Sequence, residues 1–210
     1  MTASIIPAEP PWTICRRFLT SDTSPGEVTL DVGCGTGDLM VELTHLGAKT
    51  QGIEINPALI ESCQTRGLSV QAGSAEHIPF DTETFDRVVC SVVVPYTDEQ
   101  QAVTEWARVL KPGGRVYATY HGIGYGMHYS LTGPGLRRRI YGMRMLVNTI
   151  YYQLTGRMLP GFWGDTICQT MHRLQAYYKQ LGLVLEKESI AATFLGYPRF
   201  ICHQLVKPLP

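Results

Sequence analysis

Apolar residues along this chain recur with two periods, about 3.6 and 2, and their alternation outlines the architecture before any motif is considered. Trp12, Cys15, Phe18 and Leu19 lie three or four positions apart, or adjacent on one helical face, and predict a leading helix. The short apolar run ending in Asp31 reads as a buried strand, and Leu39, Leu43 and Leu46 place a helix after it. Residues 50–55 read as a second strand. Asn56-Pro57 then opens a helix with a capping Asn and a first-turn Pro, ending near Gly67. Asp98 caps a helix carrying Val103, Trp106 and Leu110, and Pro112-Gly113-Gly114 turns the chain into a further strand. Towards the C-terminus, Leu174, Tyr177, Tyr178 and Leu181 share a helical face before Gly182, and 183–187 and 200–206 predict two closing strands. Strands alternating with helices predict an α/β fold.

The turn after the first strand carries the chemistry. Thr29-Leu-Asp-Val-Gly-Cys-Gly-Thr-Gly37 ends a strand in an acid and continues with glycines at 33, 35 and 37, a turn without side chains where a ligand can lie against backbone. Glu54 stands near the end of the second strand, about where an acidic group grips a ribose diol. Dinucleotide sites use G-x-G-x-x-G to bring a helix N-terminus to a pyrophosphate. Here the spacing is G-x-G-x-G, and the charge of Asp31 would oppose a diphosphate but suit an ammonium or sulfonium.

Leu30, Asp31, Val32, Gly33, Gly35 and Gly37 together resemble the first motif of class I S-adenosylmethionine-dependent methyltransferases. Residues 80–94 resemble the family's PF…FD.V segment, and 107–116 its R-L-K-P-G-G turn, so the resemblance spans 28 to about 120. It implies a Rossmann-like seven-stranded, mostly parallel sheet with helices on both faces and the last strand antiparallel. It implies S-adenosylmethionine as donor, S-adenosylhomocysteine as product and no metal. The implied cofactor residues are Asp31, Gly33, Cys34, Gly35, Gly37, Glu54, Ile55 and Ser91, with Ser74, Ala75 and Glu76 near the adenine. Two departures qualify it. Ser74 stands where the family usually has an Asp for the adenine amine, and a hydroxyl accepts more weakly than a carboxylate. Val93-Val94-Pro95-Tyr96 replaces the Asn/Asp-Pro-Pro-aromatic of members that methylate planar nitrogens, which argues against that subclass.

Composition narrows the class further. The 210 residues, 44% hydrophobic and 17% charged, suit one globular domain over 1–210, and no run is long and apolar enough for a membrane span. The N-terminus lacks a basic start, apolar stretch and cleavage site, so a cytoplasmic enzyme is expected. Six scattered cysteines without C-x-x-C read as reduced thiols rather than a metal or disulfide framework. The zero net charge conceals an asymmetry: residues 1–120 carry eight basic against fifteen acidic residues, residues 121–181 seven against one. Ordinary connections are a few residues long, so 121–169 reads as an inserted lid after strand five, with a basic, aromatic, apolar helix over 136–154 and a turn-rich apolar loop over 158–164.

Ligands in such folds sit at the C-terminal edge of the sheet, which favours Tyr96, Tyr120 and His121 as catalytic candidates. His128, in a Gly-rich stretch read as loop, is a fourth. Arg137, Arg138, Arg139 and Tyr141 are candidates for holding an anionic acceptor. Each has a bland alternative: a solvated loop histidine, a packed tyrosine, a solvated basic face. The chain therefore reads as a methyltransferase for a small hydrophobic or aromatic acceptor with an anionic group, O-methylation favoured. A membrane-surface lipid or quinone methyltransferase, with peripheral contact through the basic lid, is one alternative. A cofactor-binding regulatory protein without turnover is another. Nucleic acid is not expected as a partner, because the cofactor half is acidic. Oligomeric state is not specified.

The cofactor reading has a direct check by calorimetry. S-adenosylmethionine is expected to bind more tightly than NAD, and Glu54→Ala to weaken it by about 1.5–3 kcal/mol through lost charged hydrogen bonds. Preference for NAD would overturn it.

Overall fold

A computed structural model describes residues 9–210. Helix α1 (Pro11–Thr20) leads into β1 (Val28–Val32), α2 (Asp38–His45), β2 (Lys49–Glu54), α3 (Pro57–Thr65), β3 (Val70–Ala72) and β4 (Phe85–Ser91). Then come α4 (Glu99–Val109), β5 (Leu110–His121), α5 (Ile123–Thr132), α6 (Gly135–Thr155), α7 (Met171–Gln180), β6 (Val184–Phe194) and β7 (Tyr197–Val206). The seven strands form one sheet in the order β3-β2-β1-β4-β5-β7-β6. The pairings among β1 to β5 are parallel, and β7 runs antiparallel to both β5 and β6. This is the Rossmann-like arrangement with a reversed last strand. The order reverses between β1 and β4, so their C-terminal ends flank a crevice from which the connections diverge, the place where such sheets bind ligands.

Alternation along the central strands divides the core. Val88 and Cys90 of β4, with Val116, Ala118 and Tyr120 of β5, meet Trp106, Leu174 and Tyr178 on one face. Val89 and Tyr117 meet Phe18, Leu19, Leu39 and Leu43 on the other. Leu46 departs from its expected place: α2 stops at His45, and Leu46 follows as a half-exposed cap. Trp12 likewise stays 70% exposed although its helix packs through Cys15, Phe18 and Leu19.

Two differences lie in the C-terminal half. The closing strands are longer than the hydrophobic pattern indicates and form one hairpin, turned at Leu195 and Gly196, both with positive φ. The signal is hidden because leucine is an unusual residue in that conformation. The Gly-rich stretch around His128 is helix α5 rather than loop. Its glycines serve close approach: a Cβ on Gly124 would lie 2.3 Å from the Tyr197 carbonyl oxygen, and one on Gly142 of α6 would lie 2.7 Å from that of Gly126. Helix α5 thus packs between the hairpin and α6.

Buried charges fix how the outer layers sit. Arg87 of β4 is fully buried, with its guanidinium 3.6 Å above the Tyr117 ring. It donates to the carbonyls of Leu19 and Ser21 at 2.6 and 2.8 Å, closing the end of α1 onto the sheet. Glu99 and Arg173 tie α4 to α7 with two guanidinium nitrogens on one carboxylate. Removing one partner of a buried charged arrangement leaves the others unpaired. Arg87→Leu is therefore expected to cost about 3 kcal/mol in urea unfolding and to accelerate amide exchange in α1. A silent substitution would show that α1 is held by its apolar face alone.

Candidate active site

The end of β1 and the turn after it form the centre of the site. The N–H groups of Gly33 and Cys34 both donate to the Ile53 carbonyl, at 2.9 and 3.0 Å, which folds the turn onto β2. Gly33, Gly35 and Gly37 all adopt the left-handed conformation that side chains resist. Their surroundings differ. A Cβ on Gly33 would strike Val93 at 2.4 Å and one on Gly37 would strike Leu68 at 2.4 Å, whereas one on Gly35 meets nothing within 4 Å. The outer two glycines are required by packing, and the middle one keeps backbone bare toward open space.

Glu54 braces this turn from β2. One carboxylate oxygen accepts from Gly35 at 3.0 Å, and the other from Ile55 and Asn56 at 2.8 and 3.0 Å. The carboxylate is held in one orientation, and Ile55 beside it is 75% exposed, an apolar face with no protein over it. Asp31, two residues before the turn, is 2% exposed, and its Oδ2 has no hydrogen-bond partner. Burial pushes its carboxyl up to about 7, with nearby Arg16 opposing and Glu54 adding to the shift. An unpaired buried carboxylate of this kind is suited to receive a cationic group.

Two cavities open here. The larger, about 300 Å³, is lined by Gly33, Glu54, Ile55, Ser74, Ala75, Glu76 and Tyr96 among others. Ser74 and Glu76 are held in place: the Ser74 hydroxyl accepts from the Glu76 N–H at 3.2 Å, and Glu76 accepts from the N–H of Asp98, the residue before α4, at 2.6 Å. The smaller, about 210 Å³, lies under α1 between Trp12, Cys15, Arg16, Ser91 and Phe200. Val92 lines both. Its φ of 56° is a strained conformation for a β-branched residue, held by a hydrogen bond from its N–H to the Thr119 carbonyl. Strain therefore sits where the two cavities meet.

Of the catalytic candidates, only Tyr96 lines the larger cavity; its hydroxyl lies 3.2 Å from that of Tyr141 on α6. His121 ends β5 and is 5% exposed, stacked 3.7 Å from Tyr125, with Nδ1 unpartnered. Burial pushes its pKa down to about 3, so the ring is neutral throughout the working range and a feeble base. Tyr120 does not reach the crevice. The alternation of β5 turns it into the opposite core, where it bonds Tyr178 at 2.8 Å, and Tyr178 bonds His203 at 2.9 Å. His128 lies on α5 within hydrogen-bond distance of Thr132 and against Phe194, lining neither cavity.

Arg137, Arg138 and Arg139 are exposed on the first turns of α6. Arg139 donates to the Gly133 carbonyl at 3.2 Å, and Arg138 lies 5.8 Å from the Tyr129 ring centre. Arg137 borders a groove of about 680 Å³ shared with Leu136, Ile140, Tyr141, Arg144 and Phe162. Tyr141 thus connects the groove to Tyr96. Trp12, Arg16 and Phe200, which line the smaller cavity, carried no local signal: their roles come from elements far apart in the chain. No metal-ligating cluster occurs among the described residues.

Residues 30–118 match the family model of a methyltransferase domain. The chain is 35% identical over 97 residues to an uncharacterized methyltransferase of Bacillus subtilis, YodH, covering 43% of this chain and 42% of the other. It is 33% identical over 96 residues to demethylmenaquinone methyltransferase of Corynebacterium kroppenstedtii, covering 45% and 42%. The chain thus spans under half the length of these relatives. The structure of an S-adenosylmethionine-dependent methyltransferase from Mesorhizobium loti superposes with a TM-score of 0.69 at 15% identity, over 92% of this chain and 96% of that one, a likeness of fold.

Asp31 supplies the test of this site. Its folded-state pKa lies above the ordinary 3.8, so its contribution to stability is intact below about 4 and is lost as pH rises to about 7. Asp31→Asn is therefore expected to raise the stability of the free protein at pH 8, by up to about 4 kcal/mol at 1.36 per pKa unit, and to weaken S-adenosylmethionine at least tenfold. An Asn variant that binds the cofactor as tightly as the parent at pH 8 would remove Asp31 from the site.

Proposed function

We propose, from the premise that this chain belongs to the class I S-adenosylmethionine-dependent methyltransferases, that it methylates a small apolar or aromatic acceptor bearing an anionic oxygen. The observation that carries this reading is the Tyr96–Tyr141 contact, which joins the larger cavity to the apolar groove along α6. Bound S-adenosylmethionine supplies an electrophilic methyl group on a sulfonium. The chain's part is to bind, orient and exclude water. In this reading Asp31 faces the donor's ammonium and Glu54 its ribose. Ile55 offers an apolar face to the adenine, with Ser74, Ala75 and Glu76 at its rim. The backbone of Gly33, Cys34, Gly35 and Gly37 leaves room for the chain between them, and Ser91 borders the smaller cavity.

Acceptor chemistry follows from what the site lacks. His121 is too weak a base to remove a proton from an ordinary hydroxyl. A carboxylate, or a phenol or quinol that is already ionised, needs no such base, which favours O-methylation of an anion. Tyr96 then positions the acceptor, and His121, buried against Tyr125, does not reach it. The segment 121–169, with α5, α6 and the loop after them, serves as the lid. Arg137 at the groove meets the negative charge, Arg144 there being paired with Asp165 at 2.8 Å, with Leu136, Ile140 and Phe162 against the apolar body. Carbon methylation of a quinol is the second reading, favoured by the relative from Corynebacterium kroppenstedtii. No helix among the described residues is long and apolar enough to cross a membrane, and six unpaired thiols suit a cytoplasmic setting.

The test is formation of S-adenosylhomocysteine, followed by mass spectrometry, with a panel of phenols, carboxylic acids and quinols. Turnover is expected with an apolar anionic member, and the product's mass fragments distinguish O- from C-methylation. Tyr141→Ala is expected to lower kcat/KM for that acceptor about tenfold, or 1.4 kcal/mol, at unchanged cofactor affinity. No turnover with any compound would favour a non-catalytic cofactor-binding protein.

A further inference from the structure

Helix α6 is apolar on two opposite sides. Gly142, Met145, Asn148, Thr149 and Tyr152 form its buried face, as expected of a helix lying on a protein core. On the opposite side, where a surface helix ordinarily carries charge, stand Leu136, Met143, Val147, Ile150 and Leu154. They are exposed by 74%, 51%, 46%, 58% and 80%. Spaced seven, four, three and four residues apart, they form one continuous stripe along the full helix. At 3.6 residues per turn, Arg137 falls on one flank of the stripe and Arg139 on the other, while Arg144, on the side of Arg137, is largely buried and paired with Asp165 at 2.8 Å. The helix contains no Asp or Glu. Beyond its end, Phe162 and Trp163 are also exposed, with Phe162 under the Arg144 guanidinium at 3.8 Å.

We propose that this face of α6 docks flat on an anionic lipid bilayer, with the stripe entering the acyl boundary and the flanking arginines among the headgroups. The charge pattern selects this occupant. Helix α6 offers no acid, and Arg137 and Arg139 are exposed on either flank of the stripe, so an anionic lipid surface supplies a counter-charge that a second copy of this acid-free helix does not. The helix is too polar to cross the bilayer, so it lies in the interface. Docking also has a geometric consequence. The groove lined by Leu136, Ile140, Tyr141 and Phe162 opens beside the stripe, and Tyr141 leads to Tyr96 at the larger cavity. An apolar acceptor dissolved in the membrane would enter there without crossing water. The purpose assigned to docking rests on the proposed methyl-transfer reading; the docking itself rests on the helix.

Flotation with vesicles of equimolar phosphatidylcholine and phosphatidylglycerol, against pure phosphatidylcholine, tests it. The protein is expected to float with the anionic vesicles and to be released by high salt. Partitioning should fall at least tenfold both in the triple variant Arg137→Ala, Arg138→Ala, Arg139→Ala and in the double variant Ile150→Ser, Leu154→Ser. Trp163 emission should shift to the blue on binding, and Trp163→Phe should abolish the shift. Melting temperature and S-adenosylmethionine affinity, expected to be unchanged in all variants, certify folding. Indifference to lipid charge, or floating of both variants like the parent, would overturn the proposal. So would a dimer that Val147→Asp dissociates in a protein that ignores vesicles. A protein that floats but binds no S-adenosylmethionine would defeat the proposed function and leave the docking standing.

Discussion

Three backbone N–H groups converge on the carboxylate of Glu54, and the geometry of the crevice depends on that convergence. A parallel strand ends with donors and acceptors that its ladder no longer satisfies, and a glycine turn has little preference for one shape. Glu54 addresses both conditions. It caps the exit of β2 toward α3 and binds the middle of the glycine turn, so that the two strand ends next to the switch in strand order move as one. The carbonyl of Ile53 completes the brace by accepting from Gly33 and Cys34. Rigid backbone at a strand end is what allows one bare glycine to face open space without collapse.

Around this brace, buried charge is used in two different ways. Arg87 and the Glu99–Arg173 pair bind partners within the fold, the first two carbonyls and an aromatic face, the second each other. They set where α1 and α7 lie. Asp31 has an oxygen without a partner and a raised pKa. Such a group costs stability in the free protein, and a positively charged ligand would relieve that cost.

Helix α6 joins the crevice to the outer surface. Its inner face is fixed by contact with α5, where Gly126 and Gly142 let the backbones approach closely, and by Asn148, which donates to the Thr166 carbonyl at 2.8 Å. That anchoring leaves the helix no rotational freedom to bury its outer stripe. The exposed apolar face therefore follows from packing, and Tyr141, between the two faces, is the residue through which the groove reaches Tyr96.

The sequence by itself outlined the parallel half of the sheet and the glycine turn that joins its first two strands. Those features are local: a buried run ending in an acid, a glycine spacing, a second acid on the next strand, and a Pro-Gly-Gly turn lie within short segments whose periodicity is plain. It could not assign Tyr120 and His121 to opposite faces of the sheet from their adjacency, although strand alternation requires it, because the side that opens to the crevice depends on what covers each face. Helix α5 was hidden for a related reason, since glycine reads as a loop signal when the close helix contacts that demand it are unseen. Trp12, Arg16, Ser91 and Phe200 come together only through the packing of α1, β4 and β7. Tertiary structure decided these matters because burial, desolvation and the convergence of distant segments are properties of packed surfaces, which no stretch of chain possesses alone.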